Sequence, residues 1–128
     1  MGDASSDVLR RGPLGYLFVR PSLGKGARRA DVELTLLGLT QTAGAARAGF
    51  MTAFSTMDLR PALASMEVPA KVLVGSRDRL TPPAAAKVLV GGLPDAELVV
   101  LPGIGHMLPL EAPDALADAL AAAHDTLG

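Results

Sequence analysis

Two short apolar runs, "KVLVG" at residues 71–75 and "AELVVL" at residues 96–101, stand one helix length apart. They restrict the fold more than any other feature of the chain. The first is β-branched and continuous, the pattern of a strand buried on both faces of a parallel sheet. Between the runs, Thr81 followed by Pro82 reads as an N-cap and first-turn pair. A helix then extends from Pro82 to Val90 and stops at Gly91-Gly92. A strand–helix–strand crossover of this length implies parallel strands in an α/β sheet.

The rest of the chain reads as helical. A last helix starts near Pro113, with Leu116, Leu120 and Leu127 on one face and Asp114, Asp118 and Asp125 mostly off it. Upstream, residues 58–66 form a short helix with Leu59, Leu63 and Met66 at i, i+4 and i+7, and Pro69 opens an extended segment. Residues 31–56 are mainly helical, with Asp31 as N-cap. Gly38, Gly44 and Gly49 each cost about 1 kcal/mol relative to Ala in a helix, which favours two pieces over one. Residues 1–30 are rich in Gly, Ser and Arg, and within them Tyr16-Leu17-Phe18-Val19 fits either a strand or an apolar contact in a loop.

Composition excludes several function classes. A hydrophobic fraction of 49% in 128 residues supports a buried core, and aromatics at 3% leave it to Leu, Val and Ala. A net charge of −1 argues against a nucleic-acid partner. The charge is uneven: residues 1–30 carry six Lys/Arg, and residues 93–128 carry six acids and no Lys or Arg. That pattern fits either two solvated faces or a charged contact surface. No cysteine is present, and His106 and His124 lack zinc-ligand spacing, so neither a metal nor another cofactor is expected. No stretch has the roughly 18 apolar residues of a membrane span, and "MGDASSDVLRRG" is no secretory signal. A cytoplasmic protein that binds no membrane is the expectation.

Reacting groups in open parallel sheets gather at the carboxyl ends of the strands. Asp78 follows the first strand and His106 the second. Adjacent strands lie about 4.8 Å apart, so two loops at one sheet edge can bring a carboxylate to an imidazole. Such a carboxylate sets the ring tautomer and stabilises the imidazolium, while the other nitrogen acts as general base. Gly103 and Gly105 let the histidine loop turn sharply. His124, near the end of the last helix, reads as a surface residue. Arg77 and Arg79 flank Asp78 and are either solvated or paired with it.

At these residues the sequence resembles the C-terminal part of an α/β-hydrolase. The resemblance rests on "VPAKVLVGSRDRLTPP" and "AELVVLPGIGHMLPLEAPDAL". Residues 66–69, Gly75, Asp78 and Pro82 match the family segment around the triad acid. Gly103, Gly105, His106, Met107, Glu111 and Pro113 match the segment around the triad histidine. The likeness covers about residues 58–123, and residues 1–57 correspond more loosely to the variable cap region. It implies an α/β fold comprising the last two strands of the hydrolase sheet with flanking helices (residues 58–128), preceded by a helical cap-like or lid-like segment (residues 1–57). It further implies Asp78 as triad acid, His106 as triad base and Met107 as a residue lining the substrate pocket.

The family's nucleophile sits on a strand–turn–helix, usually as G-x-S-x-G. No serine here has glycine two positions before and two after, and no cysteine can substitute. The expected function is therefore the back part of a serine-type hydrolase acting on an ester, amide or related bond, with a small apolar or ester-type substrate. Its nucleophile would lie outside this chain, as in a truncated or split gene. An N-terminal half or a second copy would pair with the sheet edge that the first strand exposes. The alternative is a non-catalytic binding or interaction module derived from the fold. A third reading is a small enzyme using Asp78 and His106 alone as an acid–base pair.

Overall fold

In a computed structural model, which describes residues 13–127, strand β1 (Ala70–Gly75) pairs in parallel with strand β2 (Ala96–Leu101). The register runs from Ala70 opposite Ala96 to Gly75 opposite Leu101 without a slip. Parallel neighbours need a crossover, and the helix Pro83–Gly92 supplies it and packs on both strands. The chain is thus α/β, with two parallel strands and flanking helices, as the spacing of the two apolar runs implies.

The elements in chain order are α1 (Pro13–Val19), a 3₁₀ turn (Arg20–Ser22), α2 (Arg29–Gln41), α3 (Gly44–Thr56), α4 (Arg60–Leu63), β1, α5 (Pro83–Gly92), β2, α6 (Leu108–Glu111) and α7 (Pro113–Leu127). They fall into two compact units. One comprises residues 13–21 and Arg28–Asp58, and there α1 packs on α2. The other comprises Ser22–Ala27 and the chain from Leu59 onward. In that second unit α4 packs on α5 through buried Leu63, and α7 packs on β1 and α6.

Several details differ from the sequence reading. Tyr16–Val19 belongs to helix α1, neither strand nor loop. The helical region of residues 31–56 does divide in two, at residues 42–43. Asp31 is not the N-cap of α2. Arg28 holds that place, and Asp31, in the third helical position, accepts the Arg28 backbone N–H at 2.8 Å and its guanidinium at 2.9 Å. An acid at that position reaches back to the cap, so a capping signal in sequence can lie three residues inside the helix. Thr81 is likewise not the cap of α5, which is Pro82. Burial of β1 on both faces also fails. Val74 and Gly75 are buried, Val72 and Leu73 only half-buried, and Lys71 is exposed and paired with Glu97 at 3.0 Å. The sheet has two strands among the described residues, so β1 has a strand on one side only. On α7, Leu116 is half-buried but Leu120 is 63% exposed.

No helix among the described residues is long and apolar enough to cross a membrane.

Gly75 ends β1 where a Cβ would sit 2.3 Å from the Ile104 carbonyl oxygen and 2.4 Å from that of Gly105. Gly75→Ala is expected to destabilise the second unit by about 1–3 kcal/mol through overpacking. Gly91, in α5, has nothing within 4 Å of the same position. There alanine is expected to stabilise by about 0.5–1 kcal/mol. Urea unfolding midpoints of the two variants should move in opposite directions, and a shift of the same sign would contradict the packing.

Candidate active site

Both strands end at one edge of the sheet, and the loops that leave them are tied together by backbone. The Ser76 N–H donates to Leu101 O at 2.9 Å, and the Arg77 N–H to Ile104 O at 2.9 Å. The Ser76 hydroxyl accepts the Gly103 N–H at 2.9 Å. Gly103 turns the second loop with φ at +78°, a conformation that favours glycine because it has no Cβ. Beyond it, the His106 N–H donates to Ser22 O at 2.8 Å.

These loops bring Asp78 and His106 together. His106 Nδ1 lies 3.0 Å from Asp78 Oδ2. The carboxylate is nearly sealed from solvent, with its side chain 6% exposed, whereas the imidazole is 34% exposed. Asp78 Oδ1 accepts the backbone N–H groups of Leu80 and Thr81, each at 2.9 Å. Oδ2 accepts the Thr81 hydroxyl at 2.8 Å in addition to facing His106. The Thr81 hydroxyl is 3.4 Å from Nδ1, and its one proton goes to the nearer carboxylate. An acceptor-only Oδ2 then calls for the ring proton on Nδ1. In the neutral ring this leaves Nε2 as the acceptor, the atom that takes a proton from a nucleophile in general-base chemistry.

Burial is the largest influence on the Asp78 carboxyl and acts to raise its pKa. The hydrogen bonds from the Thr81 N–H, His106, the Thr81 hydroxyl and the Leu80 N–H together outweigh it and hold the group below its ordinary value. Asp78 therefore stays a carboxylate at neutral pH despite its burial.

Of the other residues singled out in the sequence, Met107, the residue after His106, is half-buried at the start of α6. His124 is exposed. Arg77 and Arg79 are exposed, and neither is an ion-pair partner of Asp78 among the described residues. A cavity of about 540 Å³ opens at the opposite end of the strands, lined by Val68, Pro69, Lys71, Asp95 and Ala119 among others. It shares no residue with the Asp78–His106 pair. Among the described residues no three His, Asp or Glu side chains converge as a metal site would require. Sequence reasoning missed Thr81 as a partner of Asp78. Its signal was an aspartate followed two and three residues later by N–H groups it can accept, the pattern of an Asx turn.

The family profile described as "Alpha/beta hydrolase family" matches residues 3–119. The chain belongs to the alpha/beta hydrolase family. The match reaches well upstream of residues 58–123, where the sequence motifs lie. The chain is 30% identical over 113 residues to the pimeloyl-[acyl-carrier protein] methyl ester esterase of Xanthomonas campestris pv. campestris, covering 86% of this chain and 45% of that protein. Among solved structures, the esterase EaEST from Exiguobacterium antarcticum superposes with a TM-score of 0.76 at 18% identity, covering 92% of this chain and 46% of the esterase. The enol-lactonase from Burkholderia xenovorans LB400 gives a TM-score of 0.73 at 22% identity, covering 94% and 49%. The chain thus spans about half the length of the curated relatives and of these structures, and at these identities the structures establish the fold.

The depressed Asp78 value has a consequence for stability. Because the folded value is the lower one, the carboxylate's contribution is complete above the unfolded value. It is lost as pH falls through the folded value. Urea unfolding of the wild type from about pH 7 down to about pH 2 should show a midpoint that drops at the acid end. Asp78→Asn should flatten part of that acid limb. An acid limb unchanged in the variant would mean that the carboxylate is not held as its partners imply.

Proposed function

We propose that this chain is the C-terminal part of a serine-type α/β-hydrolase that cleaves an ester, amide or related bond. The observation that carries the reading is the 3.0 Å contact between a buried, fully hydrogen-bonded Asp78 and the partly exposed ring of His106. Asp78 acts as the triad acid: it orients His106 and stabilises the imidazolium. His106 is the general base, taking the nucleophile's proton at Nε2 and returning it to the leaving group. Met107 lines the substrate pocket beside it. The nucleophile and the oxyanion-hole donors are supplied by residues outside this chain, in a half that pairs with the free edge of β1. Of the region read as a cap, Ser22–Ala27 belongs to the unit that carries Asp78 and His106, and residues 13–21 and 28–57 are the part proposed as cap-like.

The Xanthomonas relative is by name a methyl ester esterase. A carboxylic ester is accordingly the substrate class proposed for the assembled enzyme. Attack on the ester carbonyl would form an acyl-enzyme with loss of the alcohol, and water activated by His106 would then release the acid.

The test is hydrolysis of short-chain p-nitrophenyl esters by the chain assembled with a nucleophile-bearing N-terminal half. His106→Ala should abolish nearly all turnover. Asp78→Asn should reduce kcat by about 10⁴-fold, through the wrong ring tautomer. Turnover that survives intact in the His106 variant would sink the assignment.

A further inference from the structure

Glu111 lies outside the Asp78–His106 pair, yet its side chain closes on the loop that carries the histidine. It ends the single-turn helix α6 and is half-buried. One carboxylate oxygen, Oε2, accepts the backbone N–H groups of Gly24 and Gly105, the latter at 3.0 Å. The other, Oε1, accepts the Met107 N–H at 3.1 Å. Gly105 and Met107 are the two residues bracketing His106. The His106 N–H itself donates to Ser22 O at 2.8 Å. Three consecutive amides, 105 to 107, therefore each end on a defined acceptor. Gly24 and Ser22 belong to the short Ser22–Ala27 segment of the same unit, and the same carboxylate ties that segment to the loop.

The imidazole is 34% exposed, so its aim at Asp78 depends in part on how firmly its backbone is fixed. Hydrogen bonds to an ionised acceptor are roughly twice as strong as neutral ones, and here three share one carboxylate.

We infer that Glu111 is a positioning residue for His106: its carboxylate clamps the amides on both sides of the histidine and so keeps Nδ1 directed at Asp78. The clamp needs two acceptor oxygens. A glutamine has the same shape but offers only one, and its NH₂ would face a backbone N–H. Retained shape with lost acceptor capacity makes Glu111→Gln the informative variant.

This inference rests on the reading of Asp78 and His106 as an acid-oriented base, and the experiment separates the two. The probe is the Nδ1–H proton of His106, observed by NMR in the ¹⁵N-labelled 128-residue chain and assigned by its absence in His106→Ala. The wild type should show this proton at low field, and Asp78→Asn should remove it. Glu111→Gln should broaden or lose it while the amide dispersion of β1 and β2 persists. A general structural role for Glu111 would not selectively erase a ring-proton signal from a folded chain. A wild-type Nδ1–H signal in Glu111→Gln overturns the inference and leaves the pair standing. Persistence of the signal in Asp78→Asn overturns both. Should Glu111→Gln fail to fold, hydrogen exchange of the wild type decides. The amides of Gly24, Gly105 and Met107 should exchange together, at least about tenfold slower than unprotected amides. Unprotected exchange at any one of them overturns the clamp.

Discussion

The in-register parallel pairing of β1 with β2 is the constraint from which the rest of the site follows. Parallel strands deliver both of their outgoing loops to one edge, about 4.8 Å apart at the last paired residues. Gly75 and Leu101 are such a pair. Asp78 follows the first by three residues and His106 follows the second by five, so each loop needs only a short reach. An antiparallel arrangement of the same runs would have sent the two loops to opposite ends of the sheet. A one-residue slip would have turned the apolar positions of one strand to its other face. The crossover helix α5 enforces the parallel sense, because two adjacent parallel strands cannot be joined by a tight turn.

Placing a carboxylate at that edge under near-complete burial raises a physical cost, and the loop is built to offset it. Asp78 is surrounded by two backbone donors, a hydroxyl and an imidazole. No buried side-chain nitrogen or oxygen among the described residues lacks a partner. The result is a group that stays ionised although desolvation acts to raise its pKa. Its charge is thereby available to the ring of His106. The histidine has the opposite balance, a partly exposed ring on a backbone held by Ser22 and, as inferred above, by Glu111. Rigidity of the acid comes from saturation, and that of the base from the chain that carries it. Elsewhere the chain leaves apolar groups uncovered, Val68, Val88 and Leu120 among them.

Much of this was legible in the sequence, for local reasons. Strand and helix periodicity and the positions of Asp78 and His106 after strands all depend on residues close together in the chain. Where the cap assignments failed, the side chain took a partner three residues away instead of capping the helix. Thr81 looked like a cap for α5, but its hydroxyl goes to Asp78. Asp31 looked like a cap for α2, but it serves the cap from inside the helix. The β1 run suggested burial on two faces, and the packing around it provides less.

By itself, then, the sequence determined the α/β class, the parallel crossover and which two side chains stand at the working edge of the sheet. Each of these follows from short-range pattern and from the geometry of parallel strands. Only the tertiary structure decided what holds those side chains in place. The carboxylate of Glu111 joined Gly24 to the histidine loop, a link that spans 87 positions of chain. Hydrogen bonds between such distant residues leave no periodic trace in a sequence, because their partners meet only after the sheet has formed.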